Sequence, residues 1–138
     1  MKLSGKIGAC VLGLSLAACA EILGPMYSSK LASIDESFSP VTVPDSVTAR
    51  TDFVVSFNTV GGGCTRVGDT QVSMVDSRTA EIRPFDLHQV NATMCTTDIR
   101  FLLHTATLQF DQPGIATVRL IGAFNDSTKT ITRTVVVR

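Results

Sequence analysis

The chain is poor in aromatic residues and in clustered charge. It has no tryptophan and one tyrosine among 138 residues, so stacking platforms for bases or sugars are scarce. Its 12 Lys and Arg residues are balanced by 12 Asp and Glu, and the basic ones are scattered singly. Because binding to a phosphate backbone needs a basic face, the sequence predicts no nucleic-acid partner.

Motifs of known catalytic and metal chemistry are also missing. No Gly-x-Ser-x-Gly segment marks a serine nucleophile, and the glycines at 61–63 are not followed by the Lys-Ser or Lys-Thr of a phosphate-binding loop. Asp86, His88 and Asp98 could be joined in a metal site, but they lack close ligand spacing. His104 lies between two apolar segments and is interpreted as a boundary residue. We therefore predict no enzyme activity, no cofactor and no metal.

No apolar run is long enough for a lasting membrane span. The uncharged run from Ile7 to Ala18 would be roughly 18 Å long as a helix, whereas the hydrocarbon core is about 30 Å thick. The run follows Lys2 and Lys6 and ends in small residues, which is the pattern of a secretory signal. We expect residues 1–18 to direct export and to be removed.

The end of this run carries a more specific pattern. Leu16-Ala17-Ala18-Cys19 resembles the lipobox of bacterial lipoproteins. The resemblance implies that Cys19 is acylated and becomes the first mature residue, which anchors the protein in a membrane. Ala20 in place of Asp resembles lipoproteins sorted to an outer membrane. The expected location is the cell envelope, on the periplasmic side of the outer membrane or at the cell surface.

An alternative reading of the same residues stays open. Ala18-Cys19-Ala20 also suits an ordinary signal peptidase, which would leave a soluble protein that begins at Glu21. Cys10 follows an apolar run that is too short for export, so we expect no lipid there.

The mature chain divides into two parts by composition. Residues 19–39 contain Gly, Pro and Ser with no sustained hydrophobic period, and we interpret them as a lipidated N-terminus and flexible tether, with a possible helical turn at 31–34. Short runs of Val, Ile, Thr and Phe between turn residues fill 40–138, as is typical of an all-β sandwich or barrel. We expect seven or eight strands, at 41–43, 53–57, 71–75 with Val72 and Met74 inward, 79–83 ending at Pro84, 99–103, 106–110, 115–124 and 129–137. The last two face each other across Asn125–Thr128, a strong hairpin signal.

One segment adds a family resemblance. Leu108–Leu120 is similar to the late strand–turn–strand of bacterial immunoglobulin-like domains, with an aliphatic–Phe strand end, a Pro-Gly turn and an alternating Thr/Val strand. The resemblance implies an antiparallel immunoglobulin-like β-sandwich over residues 40–138. It departs from antibody domains, because no Trp packs on a disulfide and no Tyr marks the corner. Such scaffolds carry adhesion, spacing, sugar-binding and accessory roles alike, so the fold does not specify the function.

Two cysteines remain in the mature domain once Cys19 is assigned to the lipid. An even count in an exported domain of this size predicts a disulfide between Cys64 and Cys95. A redox-active or metal-binding pair is the alternative, but reactive cysteines usually lie close in sequence or beside a base. We expect the bridge to join two loops at one end of the sandwich.

The long connection predicted between Pro84 and Thr97 is the candidate binding loop. It contains Phe85, Asp86, Leu87 and His88, and exposed loops on a rigid sandwich often carry binding. The alternative is that Phe85 and Leu87 only close the end of the core.

Together these patterns predict a membrane-anchored, non-catalytic binding or structural module of the cell envelope. Its expected partner is another envelope protein or a glycan. The alternatives are an accessory subunit of an envelope complex and, less favoured by the residues, a small enzyme or metal-binding domain.

Overall fold

The structure is a computed structural model that describes residues 24–138. Within that range the chain forms eight β-strands and no helix, which confirms the predicted all-β sandwich of seven or eight strands. The predicted signal peptide and the lipobox cysteine lie outside the described residues. The strands are β1 (Tyr27–Leu31), β2 (Ser46–Val47), β3 (Phe53–Gly61), β4 (Thr65–Asp76), β5 (Thr79–Gln89), β6 (Arg100–Leu108), β7 (Gly114–Phe124) and β8 (Ser127–Val137).

The strands form a larger and a smaller sheet. In the larger sheet β4 pairs with one edge of β5, while the other edge pairs first with β7 and then with β1; β8 and β2 follow beyond β7. The smaller sheet consists of β3 and β6. The β5–β7 and β2–β8 pairs are parallel and the other four pairs are antiparallel, so the predicted antiparallel sandwich also contains two parallel pairs.

The core lies between the sheets and is filled by alternate residues of β3, β5, β6, β7 and β8, because successive side chains of a strand point to opposite faces. Each fully buried large apolar side chain contributes about 1.5–3 kcal/mol. The largest buried apolar side chains are Phe57, Phe110, Ile34, Ile82, Leu120, Val55, Val118 and Val135.

The segment predicted to be a flexible tether is part of the fold from Tyr27 onward. Residues 27–31 form β1, which pairs with residues 85–89 of β5. Ala32 and Ile34 are then buried, and the backbone of Ser33 bridges both β3 and β7. The tether prediction and the helical turn at 31–34 are therefore wrong for these residues. The apolar side chains of this segment show no regular period because some belong to the short strand β1 and the others to the residues that cross from one sheet to the other.

Three corrections concern strands other than β5. The predicted strands at 99–103 and 106–110 are one strand, β6, whose outward residues Phe101 and Leu103 are exposed. Residues 41–43 form a single bridge, Thr42 to Ser56, instead of a strand.

The third correction concerns the burial of Val72 and Met74. They pair with the buried Ile82 and Ala80 and so share their face, yet they remain 41% and 49% exposed. The reason is that β4 is an edge strand, and the two-stranded sheet opposite is too narrow to cover it.

The predicted hairpin at the end of the chain is confirmed. β7 and β8 pair from Gly114–Val137 to Phe124–Ser127, and Asn125 and Asp126 form the two-residue turn. Both turn residues have positive φ, 46° and 60°. Asn and Asp tolerate this left-handed conformation better than most residues, which explains their place here.

The sandwich has two ends, the disulfide end and the turn end. The disulfide end carries the start of β1, the end of β3, the start of β4 and the end of β5, as the pairs Tyr27–Gln89, Gly61–Arg100 and Thr65–His88 show. The turn end carries the β4–β5 hairpin turn and the turn before β7. A hydrogen bond from Arg78 Nη2 to the Pro113 carbonyl oxygen (3.1 Å) joins those two turns.

Candidate functional site

The residues of the predicted binding loop lie in a strand. Phe85, Asp86, Leu87 and His88 belong to β5, where β1 pairs with one edge and β4 with the other. The interpretation as a loop is therefore wrong. A binding role for these residues stays a prediction, to be judged on a fully paired strand in which Asp86 is buried and the other three are half-buried.

β5 continues through Pro84. The proline lacks an N–H, but at this position no neighbouring strand needs a hydrogen bond from it. The pairing of β5 with β7 stops at Ile82, and the pairing with β1 starts at Phe85. On the other edge the register of β4 shifts between Val67 and Thr70, which lies opposite Pro84. The proline carbonyl still accepts a hydrogen bond, from the Ala32 N–H at 2.9 Å.

Because β5 continues past Pro84, it carries Asp86 into the interior, where a cluster of polar side chains forms between the sheets. The Asp86 carboxyl group lies 2.9 Å from His104 Nε2 through one oxygen and accepts the Thr59 hydroxyl through the other, at 2.7 Å. His104 Nδ1 lies 2.8 Å from the Thr70 hydroxyl. Asp86, Thr59 and His104 are buried, and Thr70 is half-buried. We call these four residues the buried polar cluster.

The buried polar cluster connects four strands. Asp86 belongs to β5 and Thr70 to β4 in the larger sheet, whereas Thr59 and His104 belong to β3 and β6 in the smaller one. The His104 ring is also stacked on Phe57, with ring centroids 5.7 Å apart. The interpretation of His104 as a boundary residue is wrong, since it lies in the middle of β6 and is buried.

Sequence reasoning missed this cluster although a signal was present. Asp86 shares the inward parity of Ile82 and Pro84, and His104 shares that of Ala106 and Leu108. Polar residues at inward positions predict a buried network, because a buried polar group needs a partner. The prediction that the strand ends at Pro84 hides this signal, because it places Asp86 in a loop.

The order carboxyl–imidazole–hydroxyl is also the order of groups that activate a nucleophile in hydrolases. Here every group of Asp86 and His104 that can form a hydrogen bond is satisfied inside the protein. A shallow depression of about 480 Å³ lies elsewhere, lined by Met94, Cys95, Thr96 and Thr97. The geometry therefore favours a structural role, in which the cluster holds the two sheets in register.

The predicted disulfide is present at one end of the sandwich. Cys64 and Cys95 are bonded, with Cα atoms 5.3 Å apart. The segment after Cys95 packs closely on the glycines before Cys64, since the Gly63 N–H donates to the Thr96 carbonyl (3.3 Å). A Cβ atom at position 63 would overlap the Thr96 hydroxyl oxygen, so only glycine allows this approach.

Asp98 is tied down within the same segment. Hydrogen bonds from the Thr96 hydroxyl and from Arg100, together with the positive charge of Arg100, hold the pKa of this carboxyl below its usual value. These contacts fix the segment as it enters β6.

The residues considered for a metal site are not brought together. Asp86 points into the buried polar cluster, His88 Nδ1 lies 3.4 Å from the Thr65 hydroxyl, and Asp98 pairs with Arg100. In residues 24–138 no group of three or more His, Cys, Asp or Glu side chains is arranged to hold a metal ion.

Three exposed apolar side chains lie at the disulfide end. Met94 is 88% exposed beside the disulfide, and Met26 and Val90 are more than half exposed. The last two are neighbours, because the Val90 N–H donates to the Met26 carbonyl at 2.9 Å. The described part of the chain contains no helix long and apolar enough to cross a membrane.

Comparisons with known proteins add no relative. No family model, no curated protein and no solved structure matches this chain.

Proposed function

We propose that this protein is a lipid-anchored, non-catalytic β-sandwich module of the bacterial cell envelope, attached through Cys19. The observation that carries the proposal is the segment Leu16-Ala17-Ala18-Cys19 at the end of a short apolar run that follows two lysines. Acyl chains contribute about 0.8 kcal/mol per buried methylene, so two or three chains anchor a protein firmly.

Two features of the fold support this proposal. The Cys64–Cys95 disulfide is typical of proteins that fold in an oxidising compartment such as the periplasm. The buried polar cluster has its hydrogen bonds satisfied internally, which suits a scaffold better than a hydrolase. The partner we propose is another envelope protein or a glycan.

The intact mass of the chain from the membrane fraction tests the anchor. We expect a chain that begins at Cys19, carries acyl mass, and gains the mass of two hydrogens when the disulfide is reduced. Cys19→Ser should abolish the acyl mass, and Cys10→Ser is the matched control that should leave it unchanged. A mature chain that begins at Glu21 without lipid would refute the proposal and indicate a soluble exported protein.

An accessory subunit of an envelope complex is a second candidate, favoured by the outer face of the smaller sheet. Val54, Phe101 and Leu103 are each more than half exposed on that face. Large exposed apolar patches on soluble domains often mark protein interfaces. Native electrophoresis of mild-detergent membrane extracts tests this role. We expect a complex larger than the chain that is lost in Leu103→Asp and kept in Thr134→Asp, since Thr134 is exposed on β8 in the larger sheet; migration of the unchanged chain at monomer size would exclude it.

A further inference from the structure

We propose that the disulfide end of the sandwich lies on the lipid bilayer, with Met26, Val90 and Met94 in the headgroup region. The inference rests on the proposed anchor at Cys19. It adds which surface of the domain the membrane covers and which surface it leaves free.

The first argument is the length of chain between the anchor and the fold. Four residues, 20–23, separate Cys19 from Gly24, and the five steps from one Cα atom to the next span at most about 17 Å when fully extended. Gly24 is itself fixed at the disulfide end, because the Asn91 side-chain amide donates to its carbonyl (3.4 Å) and accepts the Met26 N–H (3.0 Å). The lipid therefore has to enter the bilayer close to this end.

The second argument is the distance to the opposite end. β5 runs from the turn end to the disulfide end over 11 residues. At roughly 3.3 Å per residue the two ends are about 35 Å apart, which is twice the reach of the connecting segment. The turn end is held away from the bilayer whenever the disulfide end lies on it.

The third argument is the chemistry of the surface next to the anchor. Met26 lies just before β1, Val90 and Met94 lie in the segment between β5 and β6, and all three are exposed at one end of the fold. Beside them the Arg66 guanidinium lies 4.6 Å from the centre of the Tyr27 ring. Apolar tips flanked by Tyr and Arg suit the membrane interface, where a ring or a long side chain has one end in lipid and the other in water.

The absence of tryptophan from the chain allows a direct test with a single fluorescent reporter. Residues 19–138, which include every strand, carry Met94→Trp and are coupled through the Cys19 thiol to a short-linker maleimide lipid in phosphatidylcholine–phosphatidylglycerol vesicles. We expect the emission to shift to the blue on coupling and to be quenched by lipids spin-labelled near the headgroup. Met26→Trp is the second reporter and should behave in the same way.

Ile115→Trp is the matched control. Ile115 is also apolar and 67% exposed, but it lies at the turn end, next to Gly114. Its emission should stay unshifted and unquenched on the same vesicles. Unquenched emission from the Met94→Trp and Met26→Trp variants, or equal quenching in all three variants, would overturn the inference.

The result is independent of the proposed function because the anchor is supplied chemically. A chain that cells leave without lipid refutes the function but does not change the fluorescence. Unquenched reporters on vesicles refute the orientation but do not change the acyl mass found in cells.

Discussion

At the scale of single residues, the buried polar cluster is the least expected feature of the domain. A carboxyl group and an imidazole are placed among apolar side chains at a cost in solvation, which only complete hydrogen bonding offsets. Asp86 meets this condition through His104 and Thr59. The Asp86–His104 pair therefore adds little to the net free energy of unfolding. Removal of one member alone, however, lowers that free energy strongly.

We predict that His104→Phe destabilises the domain by about 3–5 kcal/mol, because the new ring keeps the stacking on Phe57 but leaves the Asp86 carboxyl short of a partner. The double variant His104→Phe/Asp86→Leu should lose less than the two single changes added together, since it leaves no orphaned carboxyl group. Urea unfolding followed by circular dichroism measures each variant.

His88→Phe is the matched control for this cycle. His88 lies in β5, two residues after Asp86, but it is half-buried and its ring makes one long contact, with the Thr65 hydroxyl. It should cost under about 1.5 kcal/mol, the usual net contribution of one hydrogen bond. Additive losses in the double variant, or a negligible effect of His104→Phe, would show that the cluster does not act as a coupled unit.

At the scale of elements, the β7–β8 hairpin depends on a turn whose two residues both have positive φ. We predict that Asp126→Gly raises the stability by about 0.5–1 kcal/mol, because glycine adopts this conformation without a clash of its side chain. Asp126→Val should lower it by about 1–2 kcal/mol through the steric cost of the left-handed region. Thermal unfolding of the two variants and the wild type checks both signs, and equal midpoints for all three would contradict the expectation.

Elements were predictable from the sequence where their own residues specify them. β3, β7 and β8 alternate apolar and polar residues, so their period of two was visible, and the turn residues at 125–128 specified the last hairpin. β1 has no such alternation, and it is extended because it pairs with β5. Tertiary pairing of this kind leaves no local signal.

Two further elements were misjudged because a local rule was overridden by the sheet. A proline ends a strand only where its backbone N–H would have to donate to a neighbouring strand. At Pro84 the neighbour of β5 changes from β7 to β1, so no such hydrogen bond is needed. The alternation of Phe101 and Leu103 indicates a strand correctly, but the division into strands at 99–103 and 106–110 is wrong because β6 runs on through His104 and Thr105. The inward face of β6 contains a histidine, which hydrophobicity alone does not select.

At the scale of the whole molecule, the disulfide limits the freedom of the unfolded chain. Cys64 and Cys95 are 31 residues apart. We predict that Cys64→Ala/Cys95→Ala loses about 3–4 kcal/mol, as the chain-entropy model gives for a loop of this size. Chemical denaturation of the double variant without reductant measures the loss.

The reduced wild type is the control for that measurement. It should match the double variant within about 0.5 kcal/mol if the bond acts by constraining the unfolded chain rather than through packing of the sulfur atoms. A double variant as stable as the oxidised wild type would show that the loop is already restricted without the bond.

The crossing at Ser33 and the direction of β1 determine how this domain bears mechanical load. β1 enters at the disulfide end and runs along β5, whereas β8 finishes at the turn end. If the chain is held at the proposed anchor and a load is applied at the turn end, the pull acts along the strands. It shears the five-residue β1–β5 ladder as a unit instead of peeling its hydrogen bonds apart one at a time. Just after β1, the backbone of Ser33 forms bridges to Val60 in the smaller sheet and to Ala123 in the larger one. With the proposed anchor at Cys19, β1 is therefore expected to resist such a pull until the hydrogen bonds of its ladder break together.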